Sequence, residues 1–207
     1  MYARSTMLTA RPGSLDGGIA YFRDEVMPAL RGVDGFVGAS LIADRDSGLC
    51  IVTASYDSAE ALAASAERVM ALRERAASVF GADSTEVEEW EVAVMHRDHR
   101  AGDAACVRTT WSKVDPADGD RAIDLWKHGV LPAIEQLPGF CSASLLVNRE
   151  TGRGVSTVAF DSRAAMEDSR AAAEAIRARS AGEAGAEVLS VRELELVHAH
   201  LDVPEMV

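Results

Sequence analysis

No stretch of this 207-residue chain stays apolar long enough to cross a bilayer; runs such as GVLPAI and ASLLV end after five or six residues. No membrane is expected as a partner. The opening MYARSTMLTARPGS has no sustained apolar core and no cleavage-site pattern, so no export leader is expected. Cysteine is scarce. Cys50, Cys106 and Cys141 cannot all pair within one chain, which with no export signal points to reduced thiols in the cytoplasm. Cys50 and Cys141 lie in apolar, strand-like segments, where free cysteine behaves as a small hydrophobe. Positive charge is also short: 21 Lys and Arg against 33 Asp and Glu leave a net charge of -12, with no basic stripe to offset it. A phosphate backbone would be repelled, so nucleic acid is not an expected partner. There is no Cys–His pair, serine-nucleophile elbow, phosphate-cradling glycine loop or CxxC motif.

What the chain does have is a 48% hydrophobic content, enough for a packed core, and a near-repetition. Residues 35–48 read GFVGASLIADRDSG and residues 139–152 read GFCSASLLVNRETG, 104 positions later. At that offset the match runs without a gap from Arg4/Arg108 to Glu91/Glu195, and nearly a third of the aligned positions are identical. So long an ungapped match indicates a duplication, and two copies make a fused pair rather than a solenoid.

Both copies carry the same order of signals. A short strand (residues 2–9; 105–113) leads into a helix whose apolar positions follow helical spacing: Ile19, Phe22, Val26, Ala29, Val33, and Ile123, Trp126, Val130, Ala133, Leu137. Pro28 and Pro132 should kink or shorten these helices. Asp34-Gly35 and Pro138-Gly139 form turns into a strand, and DRDSG and NRETG fold hairpins into another. Asp57-Ser58 and Asp161-Ser162 cap long helices that stop near Gly81 and Gly185, and a fourth strand closes each copy. The order is βαββαβ, the ferredoxin-like plan. The expected fold class is α+β: two ferredoxin-like repeats, residues 1–96 and 105–201, packed sheet to sheet as an intrachain barrel. A polar linker, 97–104, and a tail, 202–207, complete the chain. The sheet-to-sheet expectation rests on VGASLIA and CSASLLV, which do not alternate and so read as buried on both faces.

The pattern GF-x-x-A-S-L-L, a hairpin, a strand ending in aromatic-Asp-Ser and then a helix resembles the antibiotic-biosynthesis monooxygenase-like proteins of the dimeric α/β-barrel superfamily. VLPAIEQLPGF, residues 130–140, looks like that family's connection from first helix to second strand. The resemblance covers essentially the whole chain, one family domain per copy, and the sequence looks like the family's usual dimer fused into one chain. It implies a pocket between each sheet and its helices, or in the barrel, and a small hydrophobic or aromatic ligand. In some members it implies oxygenation without metal or flavin, so no cofactor and no metal are expected. Other members degrade haem, act as isomerases, or have no assigned reaction. The haem-degrading branch uses an Asn on the first strand and a Trp and a His on the second helix. Here Thr6 and Thr110 stand on that strand, and neither second helix contains a Trp or a His. Tyr56 and Phe160 replace the usual Trp before that helix.

Arg4 with Thr6, and Arg108 with Thr110, share one face of the first strand of each copy. They are candidate ligand-binding residues for an anionic or phenolic group. The alternative, which the sequence favours, is cross-strand pairing with strand-four carboxylates: Glu89, Glu91, Glu193 and Glu195. His198 is the candidate catalytic base, since imidazole titrates near neutrality; the competing reading is a strand end reaching solvent. His198 and His200 share a face, but no third ligand accompanies them. His96, His99 and His128 read as solvated. Trp111 is a further candidate ligand contact, although it and Trp126 replace Met7 and Phe22, apolar for apolar, and core packing is the default. Two function classes follow. One is a cofactor-independent monooxygenase acting on an aromatic or polyketide-like molecule; the other is a non-catalytic binding or structural barrel. Pairing of two such chains is compatible with either.

Overall fold

The computed structural model describes the backbone of residues 1–201 and 204–206, and the side chains of 1–199 and 204–206. The tail and the side chain of His200 therefore lie wholly or partly outside the described residues.

Each copy is built as βαββαβ. In the first, β1 (Tyr2–Thr9) leads to α1 (Leu15–Tyr21), a π-helical turn (Phe22–Val26) and α2 (Met27–Arg31). Then come β2 (Phe36–Ala43), β3 (Leu49–Tyr56), α3 (Ala59–Ala64), α4 (Ala66–Phe80) and β4 (Thr85–Arg97). The second copy repeats this with β5 (Cys106–Lys113), α5 (Gly119–Leu125), a π turn (Trp126–Val130) and α6 (Leu131–Ile134). It continues with β6 (Phe140–Asn148), β7 (Arg153–Phe160), α7 (Arg163–Asp168), α8 (Arg170–Ala184) and β8 (Glu187–Leu201).

The prolines act as anticipated, but through a widened turn. Pro28 and Pro132 have no N–H to donate, and their rings crowd the carbonyl four residues back. The helix accommodates both with a π turn directly upstream. Ser58 and Ser162 accept from the N–H of Ala61 and Ala165 as N-caps. Gly81 and Gly185 end α4 and α8 in the left-handed region, φ +67° and +66°.

One feature departs from the sequence expectation: the long second helix is broken at Ser65 and again at Ser169. Locally, the Ser65 and Ser169 hydroxyls donate to the Leu62 and Met166 carbonyls, each at 2.7 Å, and compete with the helix ladder. The break is also held from outside, where Arg4 donates to the Leu62 carbonyl at 2.9 Å and to Ser65 Oγ at 2.9 Å. Arg108 does the same to the Met166 carbonyl at 2.6 Å and Ser169 Oγ at 3.0 Å. A buried cation thus takes the carbonyl that an unbroken helix would have used.

The hydrogen-bonded strand order is β1-β3-β2-β8-β5-β7-β6-β4, closed into an antiparallel barrel, so the fold is α+β with two ferredoxin-like repeats in one chain. By contacts the chain divides into two units whose boundaries fall inside β4 and β8. The first holds Met1–Trp90 and the end of β8 from Leu196; the second holds Glu91–Glu195 and the tail from Pro204. In the first unit Phe22, Met27, Leu41, Tyr56 and Phe80 form the centre of the core. In the second, Trp126, Leu131, Phe140, Phe160 and Met166 do so. Cys50, Cys106 and Cys141 are all free and buried. Burial pushes the Cys50 thiol up to about 11.

Candidate functional site

A cavity of about 210 Å³ lies in the second unit, between the β5–β7–β6 sheet and the helices α5 and α8. Its apolar wall includes Ile123, Trp126, Leu145, Val158 and Phe160. Alternation along the strands puts Arg108, Thr110 and Ser112 of β5 on the cavity face, with Ser156 of β7 directly opposite Thr110. From α8 come Ala173, Ile176, Arg177, Ser180 and Ala184, spaced to lie on one helical face.

The equivalent space in the first unit measures only about 50 Å³. The 104-residue offset accounts for the difference residue by residue. Ala184 is replaced by Phe80, which is 1% exposed. Its ring lies where a Cβ on Gly18 would sit, 2.2 Å from the Phe80 Cδ1, so the glycine is what admits it. The second unit has Ala122 at that glycine's position. Leu8, Val52 and Val69 add bulk where the second copy has Ser112, Ser156 and Ala173. The first pocket is therefore plugged by its own side chains.

The two arginines foreseen as ligand contacts do line these spaces, but their polar atoms are committed. Arg108, 5% exposed, bonds Glu193 at 2.8 Å as well as Ser169 and Met166, with its guanidinium carbon 5.5 Å from the Phe160 ring centre. Arg4 pairs with Glu89 at 2.7 Å in the same way. These are the strand-four pairings that the sequence offered as the alternative. Burial pushes the Glu193 carboxyl up, but hydrogen bonds from Arg170 and Arg108 outweigh it and hold the group below the usual range. Thr6 and Thr110 line their respective spaces. Trp111 lies on the opposite face of β5 and is not among the cavity-lining residues. His198 belongs to the first unit, edge-on to Phe22 with ring centres 5.7 Å apart, and lines neither space.

The remaining histidines differ from one another. His128 is exposed, as expected. His96, expected in solvent, is 22% exposed, bonded to Glu135 at 2.7 Å and to Glu205, and stacked on Phe140. His99 is exposed and bonded to Asp98 and Asp161, each at 2.8 Å. With Cys141, which donates to Asp161 at 3.2 Å, it makes a group of three ligand-type atoms within 4.8 Å of one another. Burial, and then the Asp161 carboxylate, push the Cys141 thiol up to about 12. At neutral pH, without a metal, the Cys141 thiol keeps its proton and donates it to Asp161.

Sequence reasoning missed Arg177, Ser180 and the Phe80/Ala184 exchange. The signal was in the repeat itself: among aligned core positions, an aromatic facing an alanine marks a change of volume.

A closed eight-stranded barrel made from two ferredoxin-like repeats, with a cavity between sheet and helices, defines an antibiotic-biosynthesis-monooxygenase-like fold. Solved structures agree at the level of fold. An anthrone oxidase-like protein superposes with a TM-score of 0.66 at 19% identity over 97% of this chain and 93% of its own. A ferredoxin-fold protein from Listeria monocytogenes, described as related to antibiotic biosynthesis monooxygenases, gives 0.53 at 10% identity over 95% of each chain. A monooxygenase-like protein from Listeria innocua gives 0.51 at 12% identity over 93% of each. In sequence, the uncharacterized protein Rv2557 of Mycobacterium tuberculosis (strain ATCC 25618 / H37Rv) is 53% identical over all of this chain and 92% of its own length. Rv2558 of the same strain is 51% identical over all of this chain and 88% of its own. The chain belongs to the family of these two mycobacterial proteins. No family model matches it. Among the described residues no helix is long and apolar enough to cross a membrane.

Proposed function

We propose that the second repeat carries a single site for a small aromatic, polyketide-like molecule and serves its oxygenation, while the first repeat is a packed, ligand-free counterpart. One observation carries this reading: the cavity is about 210 Å³ in one copy and about 50 Å³ in the other, because Phe80 stands where Ala184 does. Every described lining residue comes from the second unit. Apolar walls that include the rings of Trp126 and Phe160 fit a ring system, and the hydroxyls of Thr110, Ser112 and Ser156 supply hydrogen bonds along one edge. Enclosure raises the strength of those bonds and keeps an electron-rich anion away from bulk water. In the reaction an anthrone-type methylene becomes a carbonyl: the carbon takes one oxygen atom from O2, and its two hydrogens leave with the other as water. Three buried free thiols support action in a reducing, cytoplasmic setting.

A specific observation favours a second reading, a binding protein without chemistry. Among the described residues no histidine lines the cavity, and Asp120, the one carboxylate there, is bonded to Arg149 at 2.6 Å. One experiment separates the two. Oxygen consumption and Trp126 fluorescence are followed on adding anthrone to the wild-type chain and to a plugged variant, Ala122→Gly/Ala184→Phe. The oxygenase reading expects saturable quenching and oxygen uptake, both lost on plugging. Quenching without uptake leaves the binding reading. Identical behaviour of the two proteins removes the cavity from either role.

A further inference from the structure

The cations around the cavity are unequal. Arg108 is held by Glu193, Ser169 and the Met166 carbonyl. Arg149 is held by Glu91 at 2.6 Å and by Asp120. Arg153 is likewise engaged. Arg177 differs: its side chain is half-buried, it lines the cavity, and its guanidinium has no hydrogen bond or ion pair to any described group. It sits one residue from Ile176 and three from Ser180 on the cavity face of α8, a placement in which an arginine can lay its stem along apolar surface and keep its donor fork for a ligand. Thr110, Ser112 and Ser156, on the opposing wall, also make no side-chain hydrogen bond within the described structure. In the plugged copy the last two are Leu8 and Val52, so two of the three hydroxyls exist only where there is a cavity.

A lining that is apolar in its body, hydroxylated along one strand pair and cationic at one point is complementary to an amphipathic anion. A planar fork of N–H donors matches a carboxylate two bonds at a time, which an ammonium group would not. We propose that Arg177 is the anion-binding group of this cavity and that its ligand is an aromatic carboxylic acid. The inference rests on the cavity being a ligand site. The first repeat supplies an internal control, because Arg73 occupies the matching position beside the plugged pocket.

The test is calorimetric titration of the full chain with anthracene-9-carboxylate and with its neutral isostere, anthracene-9-carboxamide. The wild type is expected to bind the acid at least about tenfold more tightly than the amide, the scale of one charge-assisted hydrogen bond. Arg177→Gln should bring that ratio close to one while amide binding persists, and Arg73→Gln should leave it unchanged. Equal binding of the two probes by the wild type, or a preference that survives Arg177→Gln, overturns the role of Arg177. The cavity still stands as the site in that case, provided Ala122→Gly/Ala184→Phe abolishes binding of both. If neither probe binds the wild type, the aromatic-ligand reading of the cavity and the role of Arg177 fall together.

Discussion

Exchanging the plug between the two copies tests the central structural difference. Phe80 is 1% exposed, and its ring occupies the place of a Cβ on Gly18. Truncating it to alanine removes a fully buried ring and leaves a void, which costs about 3–5 kcal/mol. For a chain of this size that lowers the melting temperature by roughly 6–20 °C, at about 2–4 °C per kcal/mol. The reverse change is not the mirror image. Ala184→Phe places a ring in existing empty space, worth about 1.5–3 kcal/mol of burial, but the repeat's symmetry aims it at the Cβ of Ala122. Alone it should be neutral to destabilising. Combined with Ala122→Gly, which by itself costs about 0.5–1 kcal/mol in a helix, it should be stabilising relative to that glycine variant. The double-mutant cycle should therefore show a favourable coupling of about 1–3 kcal/mol. Thermal melts of the four proteins, each followed by circular dichroism and fluorescence, provide the measurement. Additivity within about 0.5 kcal/mol would refute the lock between position 122 and the ring. A destabilised double variant would refute the cavity itself.

Two further outcomes follow from the buried ionic groups. Arg108→Met removes the guanidinium from Glu193, Ser169 and the Met166 carbonyl at once, leaving Arg170 on Glu193 and the Ser169 hydroxyl on the carbonyl. The loss should be about 2–4 kcal/mol in urea unfolding, below the figure for a fully buried pair because Glu193 is partly exposed and keeps Arg170. A loss under about 1 kcal/mol would show that the α7–α8 break does not depend on the cation. The His99 imidazole should titrate above its ordinary 6.5, because Asp98 and then Asp161 hydrogen-bond its charged form. A raised folded value means that its contribution to stability is fully present below 6.5 and fades as pH rises through the folded value. In NMR titrations Asp161→Asn should move the His99 midpoint down; an unchanged midpoint would remove Asp161 from the interaction.

How much of this was legible in the sequence depended on whether the cause was local. The serine caps at Ser58 and Ser162, the turns at Gly35 and Gly139, and the order of the elements all follow from rules spanning a few residues, and the duplication stated each of them twice. The break at Ser65 and Ser169 was not legible, because the local serine bonds are joined by a guanidinium 61 residues away. The pairing of Arg4 and Arg108 with strand-four glutamates was visible as an alternative, since strand order places those residues side by side. His96 escaped because Glu205 and Glu135, 109 and 39 residues away in sequence, meet on its ring. The cavity escaped because a void is a property of three elements at once. Only the exchange of Phe80 for Ala184 betrayed it, and that clue has meaning only when both copies are laid side by side.

The covalent joining of the two repeats has a genetic consequence. In a homodimer every substitution is written on both subunits, so a residue that closes one pocket closes the other. Within one chain each copy varies alone. Phe80 and Gly18 could be selected for tight packing while Ala184 and Ala122 kept a hollow, and the expected stoichiometry is one ligand per polypeptide.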